Sequence, residues 1–297
     1  ARKAVPTFAQ FMDEQYFPHV RTRKRTAAKD EEYYRLRLKT AFGRKRLNQI
    51  TRREIQMCHS KLHDEGLAPA TCNHYLKVLN RACNLAIQWE VVEGPNPAVG
   101  IQQYRELNQV ENYLDDEQLQ RLLGVLKKDK NRTVCGIVLF LLSTGARLNE
   151  ALQARWALID VEHRVWRIPA TNSKSGKVRA VPLNDAALEV LSKQDSEGVF
   201  EHVFINRQTG RPYTTIQKVW ERLRRKAGLE HVRIHDLRHS YASMLVNSGR
   251  SLYEVQQILG HSNPKVTQRY SHLSTATLQD AAGSAADRIS EALKMAS

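Results

Sequence analysis

The sequence has few cysteines, no long apolar run and no repeat, and each absence excludes a class of protein. The four cysteines, Cys58, Cys72, Cys83 and Cys135, show no C-x-x-C spacing, so we interpret them as core residues in a reducing cytoplasm. No stretch approaches the roughly 20 apolar residues of a membrane span, and no signal peptide is recognisable. Without an internal repeat or a low-complexity tract, the 297 residues are predicted to form two domains with separate cores.

Acidic residues are scarce relative to basic ones. The chain has 46 Lys and Arg residues against 31 Asp and Glu residues, which gives a net charge of +15. Residues 1–105 carry a net charge of +9 and residues 106–297 of +6, so both parts are cationic. This excess predicts a polyanionic partner, because phosphate neutralisation dominates the affinity of proteins for nucleic acids. The alternative is a basic protein without such a partner.

Apolar spacing in residues 1–100 predicts a domain of four or five helices. We expect the first helix to stop at Pro18, a later helix to begin with a capping box of Thr51 and Glu54, and the last to open at Thr71. This last helix has a polar stripe without an acidic residue, which is either a nucleic-acid-binding face or a solvated one. The stripe consists of Asn73, Lys77, Asn80, Arg81, Asn84 and Gln88.

The second predicted domain follows a polar linker at 101–113 and spans residues 114–274. It begins with Asp115 as a helix N-cap, and an apolar helix follows. Three short strands then predict a small antiparallel sheet, whose exposed polar turn carries Lys174 and Lys177. Further helices are predicted at 184–193, 214–227 and 275–297.

Two histidines have a spacing that metal ligands can use. His59 and His63 lie four residues apart on a predicted helix. No third ligand is suggested nearby, so we predict neither a metal site nor a cofactor.

Most of the side chains that could take part in catalysis lie within residues 235–270. His235 and Arg238, in the motif H-D-L-R-H, can share one side of a helix's first turn, which places a proton-transfer group beside a fixed cation. Further on, Gly260 is a natural helix stop, so His261 directly follows a helix end. A short helix then carries Tyr270 near its end. Upstream, an apolar helix from Val134 to Leu142 is expected to end at Ser143, Thr144 and Gly145, which places Arg147 at its end.

These side chains suit attack on a phosphodiester. Arg147 and Arg238 can each bond two phosphate oxygens through the planar guanidinium fork. Tyr270 would attack phosphorus once its proton, with a pKa of about 10 in model peptides, is withdrawn, and His235 is our candidate to accept it. Lys174 could protonate the leaving 5′ oxygen, and His261 could donate a hydrogen bond to a nonbridging oxygen.

The set of motifs resembles the signature of the tyrosine recombinases, the phage integrase family. The six matching residues are Arg147, Lys174, His235, Arg238, His261 and Tyr270. Glu150 matches the family's acidic residue that supports the active-site arginine, although a solvent-facing role is the alternative, and His239 is interpreted as structural. Lys174 matches the family position of the general acid, with Lys177 as the alternative. The likeness covers the whole chain.

The resemblance implies a mainly α fold with a small antiparallel β-sheet: an N-terminal helical, SAM-like core-binding domain and a mixed α+β catalytic domain. It also implies cleavage to a 3′-phosphotyrosine without metal or ATP, exchange through a Holliday junction, and a homotetramer on paired core sites. Residues 275–297 would dock on a neighbouring subunit, and accessory DNA-bending proteins are possible partners. A bacterial or phage-encoded protein of the cytoplasm, associated with the nucleoid, is expected. An arm-binding domain has either been removed or never belonged to the protein.

Two rival functions remain open. A type IB topoisomerase uses a similar constellation to relax DNA, and a sequence-specific DNA-binding protein could keep the fold without catalysis. Basic side chains on helix faces and in loops are the candidates for contact with double-stranded DNA. They are Arg23, Lys24, Arg25, Arg44, Lys45, Lys77, Arg81, Lys177, Lys218, Arg222 and Arg225.

Overall fold

The chain divides into two units, Ala1–Gln109 and Val110–Ser297. The structure, a computed structural model, describes residues 4–106, 112–172 and 176–274, together with residues 279, 283, 288 and 289. Lys174 therefore lies outside the described residues, as do residues 107–111 of the predicted linker and most of the predicted helix at 275–297. Each unit has its own apolar core.

Two helical stretches in the first unit each contain a widened π turn. The first comprises α1 (Phe8–Phe11), a π turn (Met12–Tyr16) and α2 (Phe17–Arg23), and the second comprises α3 (Ala27–Tyr33), a π turn (Tyr34–Leu38) and α4 (Lys39–Phe42). The predicted stop at Pro18 is wrong, because this proline lies in the first turn of α2. The preceding π turn is wider than an α-helical turn, because the Phe17 N–H bonds to the Met12 carbonyl. The widening moves away the backbone carbonyl with which the Pro18 ring would otherwise clash.

The last two helices of this unit are α5 (Arg52–Asp64) and α6 (Pro69–Gln88). The capping box of Thr51 and Glu54 is confirmed, since each side chain bonds the other residue's backbone N–H. α6 begins two residues before the predicted Thr71, because Pro69 has the backbone angle that suits a first helical turn. The phenylalanines and tyrosines of the first two stretches pack edge to face in the core.

Part of the polar stripe of α6 lies inside the unit, so neither alternative predicted for this stripe describes it fully. Asn73 is buried, and its amide donates to the Tyr104 carbonyl at 2.9 Å. Asn80 and Asn84 accept hydrogen bonds from the Asn96 amide at 2.7 and 2.6 Å. These asparagines fasten the chain that follows α6 back onto the helix.

His59 and His63 both stack on the ring of Tyr104, with centroids 4.5 and 4.4 Å apart. This contact gives the two histidines a packing role. Within the ranges given above, no group of three or more His, Cys, Asp or Glu side chains could hold a metal ion.

The second unit is helical with two small antiparallel sheets. A three-stranded sheet has the order β1–β2–β3, with Trp166 opposite Val181, and β4 pairs with β5. The first sheet was predicted, whereas the β4–β5 hairpin was not, because its two-residue strands are too short to show an alternation. The elements are α7 (Asp116–Lys128), α8 (Arg132–Thr144), α9 (Leu148–Leu152), β1 (Ile159–Asp160), β2 (Val165–Ile168), β3 (Arg179–Pro182), α10 (Asp185–Ser192), β4 (Ile205–Asn206), β5 (Arg211–Pro212), α11 (Gln217–Lys226), α12 (Asp236–Asn247), α13 (Leu252–Leu259) and α14 (Lys265–Gln268).

Helix α8 is the centre of this unit and is buried along most of its length. Its Phe140 packs against Trp166 of the sheet and against Phe204. Asp115 caps α7 as predicted, and Gly145 ends α8 in the left-handed conformation with φ of 61°. No helix in the described ranges combines the length and the apolar character needed to cross a bilayer.

A buried carboxylate organises charge in the first unit and gives a stability prediction. The fully buried Asp30 contacts Lys24 at 2.6 Å and Arg81 at 3.1 Å. We expect Asp30→Asn to destabilise this unit by about 1.5–3 kcal/mol, the usual contribution of hydrogen bonds to a charged group. Hydrogen-exchange mass spectrometry of peptides from residues 69–88 would measure the loss.

The matched control is Asp13→Asn, because Asp13 pairs with Lys39 at 3.1 Å but both side chains are about half exposed. Exposed pairs contribute about 0–1 kcal/mol. Equal losses of protection in the two variants would contradict a structural role for the buried carboxylate.

Candidate active site

Arg147 caps the N-terminus of α9, just beyond Gly145, where the apolar helix α8 ends as predicted. Its backbone N–H donates to Glu150 Oε2 at 2.9 Å, and its guanidinium donates to Glu150 Oε1 at 2.7 Å. Glu150 is 1% exposed, so the solvent-facing alternative for this residue is wrong. The tight turn from α8 through Gly145 brings the arginine back toward the sheet and α12.

Arg179 of β3 binds the other side of the same carboxylate. Its Nη2 donates to Glu150 Oε2 at 2.8 Å, and its Nη1 donates to the carbonyls of Ile258 and Leu259 at the end of α13. Burial, and to a smaller extent the charge of Arg147, lower the pKa of this guanidinium, against the opposing effect of Glu150. Arg179 therefore ties the sheet, α9 and α13 together.

Arg238 is buried between two backbone carbonyls. Its Nη1 donates to Gly145 at 2.5 Å and its Nη2 to Leu259 at 2.7 Å. Burial first, and then the charges of Arg147 and Arg179, lower its pKa to about 9. Its guanidinium still carries a charge at neutral pH, and an anion placed beside these arginines would offset their mutual repulsion.

His261 directly follows the helix end, as predicted. Gly260 ends α13 with φ of 66°, and His261 Nδ1 lies 2.8 Å from Thr267 Oγ1. Burial, followed by the charges of Arg238 and Arg147, lowers the His261 pKa to about 3, so its ring is neutral at neutral pH. If the threonine hydroxyl donates to Nδ1, the hydrogen on Nε2 is available for a ligand.

The Tyr270 hydroxyl contacts a histidine that was interpreted as structural. His239 Nδ1 lies 2.5 Å from the Tyr270 oxygen. His235 is the N-cap residue of α12, and its ring lies edge-on to His239 with centroids 5.2 Å apart. Burial lowers the pKa of both histidines, that of His239 to about 4. The interpretation of His239 as structural is therefore incomplete.

Tyr270 is itself buried, with 4% of its surface exposed. Helix α14 is only four residues long, and Tyr270 lies two residues beyond its end, packed with residues of α12 and α13. Its phenol is electrostatically coupled to Arg238, whose pKa its charge would raise. The nucleophile candidate and the buried arginine are thus neighbours.

A cleft opens between β3 and the end of α13. Lys177, Arg179, Gln257 and His261 are among the residues that line it. Lys177, the alternative general acid, therefore faces the same cleft as His261. Lys174 cannot be compared with it, because it lies outside the described residues.

The candidate DNA contacts differ in their surroundings. Lys24 and Arg81 pair with Asp30, Lys45 with Glu54, Lys77 with Glu106 and Arg222 with Asp129. In the described part of the chain, the salt bridges leave Arg23, Arg44, Lys177, Lys218 and Arg225 without an acidic partner. A cation already paired with an acid adds less to phosphate affinity, so these five are the stronger predictions.

Sequence reasoning missed Arg179 and the role of His239. A signal existed for each residue. Strand alternation places Arg179 on the same face as the buried Val181, and a buried arginine requires a carboxylate or carbonyl partner. His239 lies four residues after His235 and therefore on the same helix face.

Two family models match the chain. The phage integrase family matches residues 112–277, and the N-terminal SAM-like domain of phage integrases matches residues 7–63. The chain therefore belongs to the phage integrase family of tyrosine recombinases. This confirms the family resemblance and the predicted fold class.

Named relatives agree with this assignment. The tyrosine recombinase XerC of Proteus mirabilis is 28% identical over 295 residues, covering 91% of each chain. The integrase of Escherichia phage P2 is 27% identical over 233 residues, which are 78% of this chain and 64% of the relative. This chain thus spans slightly less than two thirds of that phage integrase.

Solved structures share the fold. The Tn1549 transposon integrase in complex with transposon right end DNA has a TM-score of 0.74 and 21% identity, covering 89% of this chain and 94% of the other. A λ integrase tetramer bound to a Holliday junction has a TM-score of 0.72 and 18% identity, with coverages of 90% and 78%.

The ion pair of Arg179 and Glu150 gives a second stability prediction. We expect Arg179→Met to destabilise the second unit by about 3–5 kcal/mol, because it leaves a buried carboxylate with one cation fewer. Urea unfolding monitored by tryptophan fluorescence would measure this, since three of the four tryptophans lie in the second unit.

Arg167→Met is the matched control, because Arg167 lies in the adjacent strand but is exposed and contacts Asp160 at 3.5 Å. Its loss should cost about 0–1 kcal/mol. A similar midpoint for both variants would show that the buried pair does not hold the unit together.

The lowered pKa of His261 predicts a pH dependence of stability. Below the ordinary value of 6.5 the unfolded chain binds a proton that the folded chain excludes until about pH 3, so stability falls as pH drops through this window. Urea midpoints at pH 7.5, 6.0 and 5.0 should fall less steeply for His261→Gln than for the parent. The exposed His231 offers the control His231→Gln, whose slope should match the parent's. An unchanged slope in His261→Gln would refute the assignment.

Proposed function

We propose that this protein is a site-specific DNA recombinase that cleaves and rejoins strands through a 3′-phosphotyrosyl bond to Tyr270. The observation that carries this proposal is that Glu150 and the Leu259 carbonyl hold Arg147, Arg179 and the buried Arg238 in one cluster. Tyr270 packs in the apolar group that contains Leu259. A phosphodiester seated there would meet two guanidinium forks and a phenol oxygen. Fixed cations of this kind stabilise the charge that develops on the nonbridging oxygens.

The remaining candidate residues would transfer protons and stabilise the charge that develops in the transition state. His261, with Nε2 directed to a nonbridging oxygen, would donate a hydrogen bond that strengthens as charge develops. Lys174 is the proposed general acid for the leaving 5′ oxygen, by its family position, and Lys177 is the alternative because it lines the cleft beside His261. His235, the proposed acceptor of the Tyr270 proton, lies beside His239 in the same turn of α12.

Assembly follows from the chemistry of exchange. Rejoining a cleaved strand to a new partner requires four cleavage sites held together, so we propose a homotetramer on paired core sites. The λ integrase tetramer on a Holliday junction, which shares this fold, supports that arrangement. Residues 275–297 would contact a neighbouring subunit, and accessory DNA-bending proteins would assist. The protein would work on the nucleoid, in the cytoplasm of a bacterium.

Covalent trapping tests the nucleophile. Duplexes selected for binding from a random pool, with nicks tiled across the selected site, let the cleaved fragment diffuse away. The parent protein should form a protease-sensitive adduct in buffer containing a chelator, and Tyr270→Phe should form none, because it lacks the attacking oxygen. Denaturing gels would measure the adduct.

Tyr253→Phe is the matched control, because Tyr253 is exposed on α13 and should leave trapping unchanged. No adduct on duplexes that the parent binds would favour a DNA-binding protein without catalysis. An adduct that never transfers its strand to a second duplex would favour a relaxing topoisomerase.

A further inference from the structure

The contact between His239 and Tyr270 is the strongest feature that the proposed scheme does not use. Two buried side chains meet there: His239 is 9% exposed and Tyr270 is 4% exposed. The 2.5 Å separation joins His239 Nδ1 to the oxygen that would attack phosphorus. A buried hydroxyl and a buried imidazole nitrogen form such a contact only when one donates to the other.

We propose that His239 is a further catalytic residue, whose Nδ1 accepts the proton of the Tyr270 hydroxyl during strand cleavage and returns it during rejoining. The inference rests on the proposed function. It replaces His235 as the proton acceptor, and leaves His235 beside His239 as a neighbouring ring.

The step balances in atoms and electrons. The Tyr270 O–H bond breaks, its electron pair forms the new O–P bond, and the proton moves to Nδ1. The P–O5′ bond breaks, and the leaving oxygen takes the electron pair and a proton from the general acid. In rejoining, the 5′ oxygen attacks phosphorus and returns its proton to the deprotonated general acid. The bond from phosphorus to the Tyr270 oxygen breaks, and that oxygen takes the electron pair and the proton that Nδ1 has held.

The position of His239 in the fold supports this assignment. It lies in the first turn and a half of α12, a helix whose start is fixed by the fully buried Asp236 through bonds to Arg233. The groups that influence its charge are His235, Arg269, Asp236 and Arg233. The tyrosine reaches it from the chain beyond α14, so the contact spans two separate elements.

Burial, followed by nearby charges, keeps the His239 ring neutral before DNA binds. Its pKa is lowered to about 4 by burial first and then by His235 and Arg269, so the ring carries one hydrogen at neutral pH. In the tautomer that the proposal requires, this hydrogen is on Nε2, and Nδ1 accepts from the Tyr270 hydroxyl. The pKa of the His239 ring would rise when an anion binds nearby, because a negative charge favours the protonated ring. A bound DNA phosphate would therefore raise this pKa toward the range in which proton transfer is effective.

The test compares His239→Asn with His239→Ala on the nicked duplexes described above. The asparagine oxygen stands near the place of Nδ1 and can accept a hydrogen bond, but it cannot hold a proton. Loss of general base catalysis lowers a rate by about 100-fold or more. We expect that loss of cleavage rate in both variants, with DNA affinity unchanged and rejoining from a preformed adduct slowed equally.

A purely positioning role predicts a different pattern. His239→Asn would then cleave at the parent rate while His239→Ala would be slow, and this result would overturn the proposal. His231→Asn is the matched control, because His231 is exposed in the same unit.

A second measurement keeps the test valid if these substitutions disturb folding. Difluorotyrosine at position 270 is a more acidic phenol and depends less on a base. It should restore part of the cleavage rate in His239→Asn, whereas a structural defect would not respond. Failure of the parent protein to form an adduct would instead count against the proposed function itself.

Discussion

The buried carboxylate of Glu150 is the interaction on which the rest of the catalytic unit depends. It contacts Arg147 on one side and Arg179 on the other, while Arg238 lies close enough for its pKa to feel both arginines. Burying several like charges together is strongly unfavourable unless each is paired or hydrogen-bonded. Glu150 and the carbonyl dipoles around Arg238 offset part of that cost. The remaining positive excess would favour the binding of a phosphate, as the proposed function requires.

The C-terminal end of α13 connects this charge cluster to the proposed proton chemistry. Its last carbonyl, that of Leu259, accepts from both Arg179 and Arg238, which suits the negative end of a helix dipole. Gly260 follows with a positive φ, and a Cβ there would collide with the Arg179 side chain. The same turn therefore accepts a hydrogen bond from each of these two arginines and sets the position of His261.

Features that depend on neighbouring residues could be predicted from the sequence, whereas features that depend on the packing of distant elements could not. Capping boxes, the glycine stops and the spacing of the reactive motifs are local, so α5, the end of α13 and the ordered set of site residues were predictable. The continuation of a helix through Pro18 depends on a π turn, which has no sequence period. The partners of Arg179 are more than 25 residues away in sequence, so the residue pattern of a single strand cannot identify them. The pairing of His239 with Tyr270 likewise depends on how α12 and the chain beyond α14 pack.

The electrostatic field of the buried arginines gives the arginines and the histidines of the site different roles. The arginines keep their charge, since even the lowered pKa of Arg238 is about 9, so they can hold a phosphate at any physiological pH. Burial first, and then the field of these arginines, lowers the pKa of His261 and that of His235, while burial and the nearby His235 and Arg269 lower that of His239. A phosphate would cancel part of that field and raise the proton affinity of the rings it approaches. In the proposed scheme, the binding of DNA and the readiness for proton transfer are therefore coupled through one electrostatic balance.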